Sequence, residues 1–175
     1  MEQDKLVNRV ANSVITTLDL AALYPKAEDV VVFDLKGFLF MELMLKEKDF
    51  REGLKQHDWE QYKNKYVAVT CSADAIIPVW AYMLVSSYLQ PQARMVLMGS
   101  EAEVKQELLL RNIRTLSMDE YVDARVVVKG CGDLPISAAA YLEITNVLMP
   151  VARSIMYGEP CSTVPVFKRK SSTGI

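Results

Sequence analysis

The chain has 175 residues, 51% of them hydrophobic and 24% charged, a size and mixture that suit a single soluble globular domain. Twenty Lys and Arg against twenty-two Asp and Glu leave a formal charge of −2, which argues against a large phosphate-tracking surface and against nucleic acid as the principal partner. The first twelve residues lack the apolar core of a secretory signal. The longest mostly apolar run, Ala75 to Leu89, is broken by Pro78 and two serines and is too short to cross a bilayer. Three cysteines, an odd number, point to free thiols in a reducing compartment and a cytoplasmic location.

In chain order, residues 1–12 read as a loose polar start, and in "SVITTLDLAALYP" Asp19 is placed to cap a short helix that stops before Pro25. "DVVVFDL" is the first clear strand. A helix is predicted from about Gly37 to Leu54, with Glu42–Lys46 and Glu47–Arg51 on its wet face and Leu43, Phe50 and Leu54 opposite. "YVAVT" is the second strand. "SADAIIPVWAYMLVSSYL" reads as a helix apolar nearly all round, hence covered by other elements. "RMVLMG" is a strand, and "SEAEVKQELLLRNI" is an amphipathic helix with Ser100 and Glu103 as a capping box. "ARVVVKG" is a strand. "SAAAYLEITNVLMPVARSIMYG" reads as one long helix, bent at Pro150 and ended by Gly158. "STVPVFK" is a short edge strand, because Pro165 cannot donate to a ladder. Continuous apolar strands alternating with helices predict an α/β fold, a mostly parallel central sheet of about five strands with helices on both faces. It forms a single domain over 13–168 between flexible ends at 1–12 and 169–175, with the basic "KRK" at 168–170 across the second boundary.

One phrase occurs twice. "VTCSADAIIP" at 69–78 and "VKGCGDLPIS" at 128–137 share a valine-rich run, a cysteine, small residues, an aspartate and a proline. Cys71 precedes Tyr82 by eleven residues and Cys131 precedes Tyr141 by ten, an offset of about sixty. Two accounts stand: an internal duplication, or the demand that every strand-to-helix turn makes for small residues, a capping aspartate and a proline. The second suffices for the aspartates and prolines but not for the cysteines. In one parallel sheet both thiols lie beyond carboxyl strand ends, the rim where ligands bind, and near helix N-termini that lower a thiol pKa. Cys71 and Cys131, with Asp74 and Asp133, are therefore the candidate thiol or metal site, suited to zinc or an iron–sulfur species. Against it stands the habit of free cysteine to behave as a small buried hydrophobe. Cys161 is recruited less readily, since a helix ending at Tyr157 followed by a parallel strand puts it at the far edge unless "YGEPCS" folds back or a dimer brings it round. His57, beside Asp58, reads as a surface histidine on the side away from the rim. No Gly-rich phosphate loop, G-x-S-x-G, C-x-x-C or H-E-x-x-H occurs.

The phrases "LKEKDFREGLKQHDW", "VTCSADAIIPVWAYML", "VVVKGCGDLP" and "SIMYGEPCSTVPVFKRK" together resemble an uncharacterised bacterial family catalogued as domain of unknown function 2480, over about residues 15–170. The resemblance brings no established activity; it includes all three cysteines and implies a protein partner in iron–sulfur assembly. Separately, "VVVFDLKGFLF" is similar to one strand of sulfate-transporter and anti-sigma-antagonist-like modules, whose usual work is partner binding.

Two functions of different class follow as expectations. One is a thiol-centred accessory role in metal, iron–sulfur or sulfur handling at the rim. The other is a non-enzymatic homodimeric module whose apolar helices and "GEPCSTVP" segment meet a partner.

Overall fold

The β-prone runs become strands because side chains branched at Cβ pack well on a pleated surface buried on both faces. The structure, a computed structural model, describes residues 15–129, 132–159 and 162–170. Expectations for residues 1–12, Cys131, Cys161 and 171–175 lie outside the described residues. In chain order the elements are β1 (Ile15–Asp19), β2 (Val30–Asp34), α1 (Glu47–Gln56), β3 (Tyr66–Thr70), α2 (Val79–Leu89), β4 (Met95–Met98), α3 (Glu101–Arg114), β5 (Arg125–Lys129), α4 (Ala138–Leu148), β6 (Ser154–Glu159) and β7 (Ser162–Lys168).

The α/β class is as expected, but in place of one five-stranded sheet there are two: a four-stranded sheet in the order β1-β5-β6-β7 and a three-stranded sheet in the order β2-β3-β4. All pairings are parallel except β6 with β7. The chain divides accordingly into two compact units, one running up to Tyr24 and resuming at Leu109, the other being Pro25–Leu108. The inserted unit (Pro25–Leu108) packs Phe50 and Leu54 of α1 and Ala81, Val85 and Leu89 of α2 on the strand face that carries Phe33, Val67 and Val69. Val104 and Leu108 of α3 lie with Val30 and Ala68 of the same unit. In the discontinuous unit, Leu109 and Ile113 share a core with Ala140, Ile144 and Leu148 of α4 and with Leu18, Val126 and Val128 of the strands.

These cores are two copies of one plan. At a constant offset of 59 residues Tyr62, Val67, Val69, Ala81, Leu89 and Pro91 recur as Tyr121, Val126, Val128, Ala140, Leu148 and Pro150. The backbone repeats with them. Asn64 and Asp123 both take positive φ, 59° and 53°. Their amide groups donate to the carbonyls of Gln92 and Val151 at 2.9 and 3.0 Å, and those of Arg94 and Arg153 donate to Lys65 and Ala124 at 2.9 and 2.8 Å. At this offset Asp74 meets Asp133, whereas Cys71 meets Gly130 and Cys131 meets Ser72. Aligning the two phrases on their cysteines shifts them by one residue and hides the repeat.

Local chemistry accounts for the other departures from the sequence reading. β1 is a strand where no strand was expected. It is short, and the Asp19 side chain ends it by accepting from the Ala21 amide at 2.9 Å to start the 3-10 turn Leu20–Leu23, the cap that was foreseen. Gly37 and Phe38 only end the 3-10 turn Leu35–Phe38, and residues 39–46 are not helical. Their apolar side chains go all round without a stripe, so only from Glu47, where Phe50 and Leu54 recur on one face, does a helix gain a core to bury. The Glu47–Arg51 pair forms at 2.9 Å, while Glu42 pairs with Lys36 at 3.2 Å. α2 starts at Val79 because Pro78 disfavours helical backbone before it. Its outer face is not covered: Val79 is 75% and Met83 69% exposed. α3 has its predicted box, the Glu103 carboxylate accepting from the Ser100 amide at 2.8 Å. The predicted long helix stops at Leu148, since Pro150 cannot continue the ladder, and "SIMYGE" becomes β6. β7 is the expected edge strand, antiparallel to β6, and Arg169 extends it by donating its amide to the Arg153 carbonyl at 2.9 Å.

The duplicated core makes Leu89 and Leu148 equivalent. Replacing either by Ala is expected to lower the unfolding free energy by about 2–5 kcal/mol in denaturant titrations, and a loss below ~1 kcal/mol at either position would contradict the packing described.

Candidate functional site

At the carboxyl edge of the three-stranded sheet, Asp34 closes β2 in register with Thr70 of β3. Its Oδ1 accepts from the Lys36 amide at 2.9 Å and the Ser72 amide at 3.0 Å, and its Oδ2 accepts from the Ser72 hydroxyl. One carboxylate thus starts the 3-10 turn Leu35–Phe38 and ties down the loop after β3. Burial alone would raise the Asp34 pKa, but the three hydrogen bonds together with the Lys36 charge prevail and hold it below the usual carboxylate range. The sequence reading missed this link. The signal for it was the "LDL" and "FDL" ending both first strands, where Asp19 and Asp34 make the same cap.

Cys71 stands in the loop after β3, half-buried against the aliphatic and aromatic core of its unit. Its thiol donates to the Ala73 carbonyl at 3.7 Å. α2 begins eight residues later, so the thiol is not at a helix N-terminus as expected. Tyr82 is close by: burial, and then the charge Cys71 would carry as a thiolate, push its phenol up. Asp74 is exposed, as is Asp133 in the other unit. The expectation of one shared rim for Cys71 and Cys131 rested on a single sheet, and the strands that precede them belong to two. Cys71 follows β3 in the three-stranded sheet, while Cys131, itself outside the described residues, follows β5 in the four-stranded one.

The premise that put Cys161 at a far edge is also corrected. β6 runs parallel to β5, so its carboxyl end, Glu159, lies at the Lys129 edge, where Lys129 Nζ and Glu159 Oε1 are 3.5 Å apart. The antiparallel β7 begins there, with Ser162 opposite Glu159.

His57, expected at the surface, is half-buried. It packs among the rings of Phe33, Phe38, Trp59 and Tyr62, at centroid distances of 5.4, 5.7, 4.8 and 5.7 Å, and its Nε2 is 3.0 Å from the Tyr62 hydroxyl. Burial lowers its pKa, outweighing the opposing pull of Asp58. Nearby, Gly37, Phe38, Phe40, Lys46, Asp49 and Gly53 line an open cleft of about 290 Å³. Its titratable lining groups are Lys46 and Asp49, and the Lys46 ammonium lies 3.1 Å from the Phe40 ring centroid. No nucleophile stands against a base there.

Among the described residues no three His, Cys, Asp or Glu side chains are grouped to hold a metal ion. The Cys71 thiol is turned to a backbone carbonyl, and the Asp34 carboxylate that holds its loop is committed to Lys36 and Ser72. No helix among the described residues is long and apolar enough to cross a membrane.

A family model described as "Protein of unknown function (DUF2480)" matches residues 4–169, almost the whole chain. No curated protein and no solved structure matches it.

Two groups set a pH dependence. His57 titrates below its ordinary 6.5 in the folded chain, so the unfolded chain binds more protons there and stability falls as pH drops below that value. Asp34, lowered from 3.8, adds a second loss as pH falls through its depressed pKa. Thermal unfolding across this range is expected to show both declines, with the upper one flattened in His57→Gln.

Proposed function

The chain belongs to DUF2480, and from that membership, which carries no activity with it, we propose that it is a non-enzymatic partner-binding module that works as a homo-oligomer. The observation that carries this reading is the outer face of α2. The helix has no charged residue, and it presents Val79 and Met83 one turn apart, just beyond Ile76, which is 93% exposed. Single exposed apolar side chains are ordinary, but a run of them along an uncharged helix favours burial against another surface. The turn between Phe40 and Met44 adds to it. Met41 and Glu42 sit there at φ of 51° and 58°, a conformation that disfavours side chains, while Met41, Leu43 and Met44 face solvent. The near-neutral charge and the cleft without a nucleophile and base agree with an interaction role. Sedimentation velocity at micromolar concentration tests the reading: a dimer or larger species is expected, and a strict monomer would overturn it.

A thiol-centred role has one observation in its favour. Lys129 and Glu159, each two residues before a cysteine, are ion-paired at a single sheet edge. Cys131 and Cys161, both outside the described residues, are therefore tested beside Cys71 for any zinc or iron–sulfur handling in an assembly partnership. After anaerobic purification, metal analysis is expected to find zinc or iron in the wild type and none in Cys131→Ser or Cys161→Ser. Metal-free wild type, or full retention in both variants, would remove this reading.

A further inference from the structure

The repeat reaches the strand that pairs beside each copy, although that strand stands outside the constant offset. β1 pairs with β5 so that Asp19 is opposite Lys129, and β2 pairs with β3 so that Asp34 is opposite Thr70. Lys129 and Thr70 are equivalent at the offset of 59, so the two aspartates take one position in their respective sheets. Their surroundings agree. Leu18 and Leu20 are buried on either side of Asp19, as Phe33 and Leu35 are on either side of Asp34. Asp19 accepts from the Ala21 amide and Asp34 from the Lys36 amide, both at 2.9 Å. Asp34 also accepts from the amide of Ser72 at 3.0 Å and from its hydroxyl, two residues beyond Thr70. The residue two beyond Lys129, and 59 beyond Ser72, is Cys131.

We infer that Asp19 is the positioning residue for the Cys131 thiol, its carboxylate tying down the loop after β5 as Asp34 ties down the loop after β3, with a thiol donor in place of the Ser72 hydroxyl. Cys131 lies outside the described residues; the inference rests on the register and the cap, which described residues repeat. It goes beyond both functional readings, because it concerns how the thiol is held and not what it meets. A thiol donates to a carboxylate only while it keeps its proton, and ionisation sets two negative charges together, so the carboxylate suppresses the thiolate. Lys129 and Glu159, which end β5 and β6, are 3.5 Å apart and offset one another, and the exposed Asp133 adds a further negative charge in the same loop. Cys71 is the internal contrast, since its thiol donates to a neutral carbonyl, that of Ala73.

The test is iodoacetamide alkylation of the reduced full chain across neutral and alkaline pH, followed peptide by peptide, with circular dichroism on every variant. Asp19→Asn and Asp19→Ser keep a capping acceptor but lose the charge; Asp19→Glu keeps the charge, and Asp34→Asn is the control in the other unit. At neutral pH the Cys131 rate is expected to rise about threefold or more in the two uncharged variants, with its pH midpoint lowered. It should stay near the wild-type rate in Asp19→Glu and Asp34→Asn. An unchanged or slower rate in the uncharged variants would overturn the inference, and so would a rise without a lowered midpoint, which marks looser packing alone. Should those variants unfold, the wild type decides: its Cys131 midpoint is expected above the ordinary thiol value of about 8.5, and one at or below that value would overturn the inference.

Discussion

Parallel pairing is the constraint on which the rest of the structure depends. β2 with β3, β3 with β4, β1 with β5 and β5 with β6 are each paired in parallel, and each connection within a unit must return over the sheet before the next strand can pair. The return is made by a helix laid on the strands. Ala81 and Ala140, both without exposed surface, let α2 and α4 approach the valine faces of β3 and β5 closely, and Leu89 and Leu148 close the far ends. Deleting any of these side chains opens a void that close-packed neighbours cannot fill.

The strand ends follow from the same geometry. A parallel strand must be stopped before its crossover, and Asp19 and Asp34 stop β1 and β2 by offering a side-chain acceptor to the amide two residues on. Asp34 then takes a further role, because its register with Thr70 places it beside the loop that carries Cys71 and Ser72. That loop is positioned by a carboxylate. Its thiol is turned to the Ala73 carbonyl.

The surface has a different logic. No polar or charged residue is buried among the described residues, while large apolar side chains stand out on α2, α4 and the Phe40–Met44 turn. Large apolar side chains left exposed along helix faces without free charge are area that burial against another surface would cover.

The sequence by itself determined the α/β class, five of the strands, the Ser100–Glu103 box, the Asp19 cap and the edge position of the Pro165 strand, because each rests on side chains within a few residues of one another. It also held the repeat, in Tyr62, Val67 and Pro91 and their counterparts 59 residues on, obscured by an alignment made on the cysteines. Only the tertiary structure decided that the strands divide between two sheets, that "SIMYGE" is a strand, that His57 packs half-buried against aromatic rings and that Glu159 returns to the Lys129 edge. Which strand pairs with which, and which ring closes on a histidine, is set by partners tens of residues away, and local preference carries no record of them.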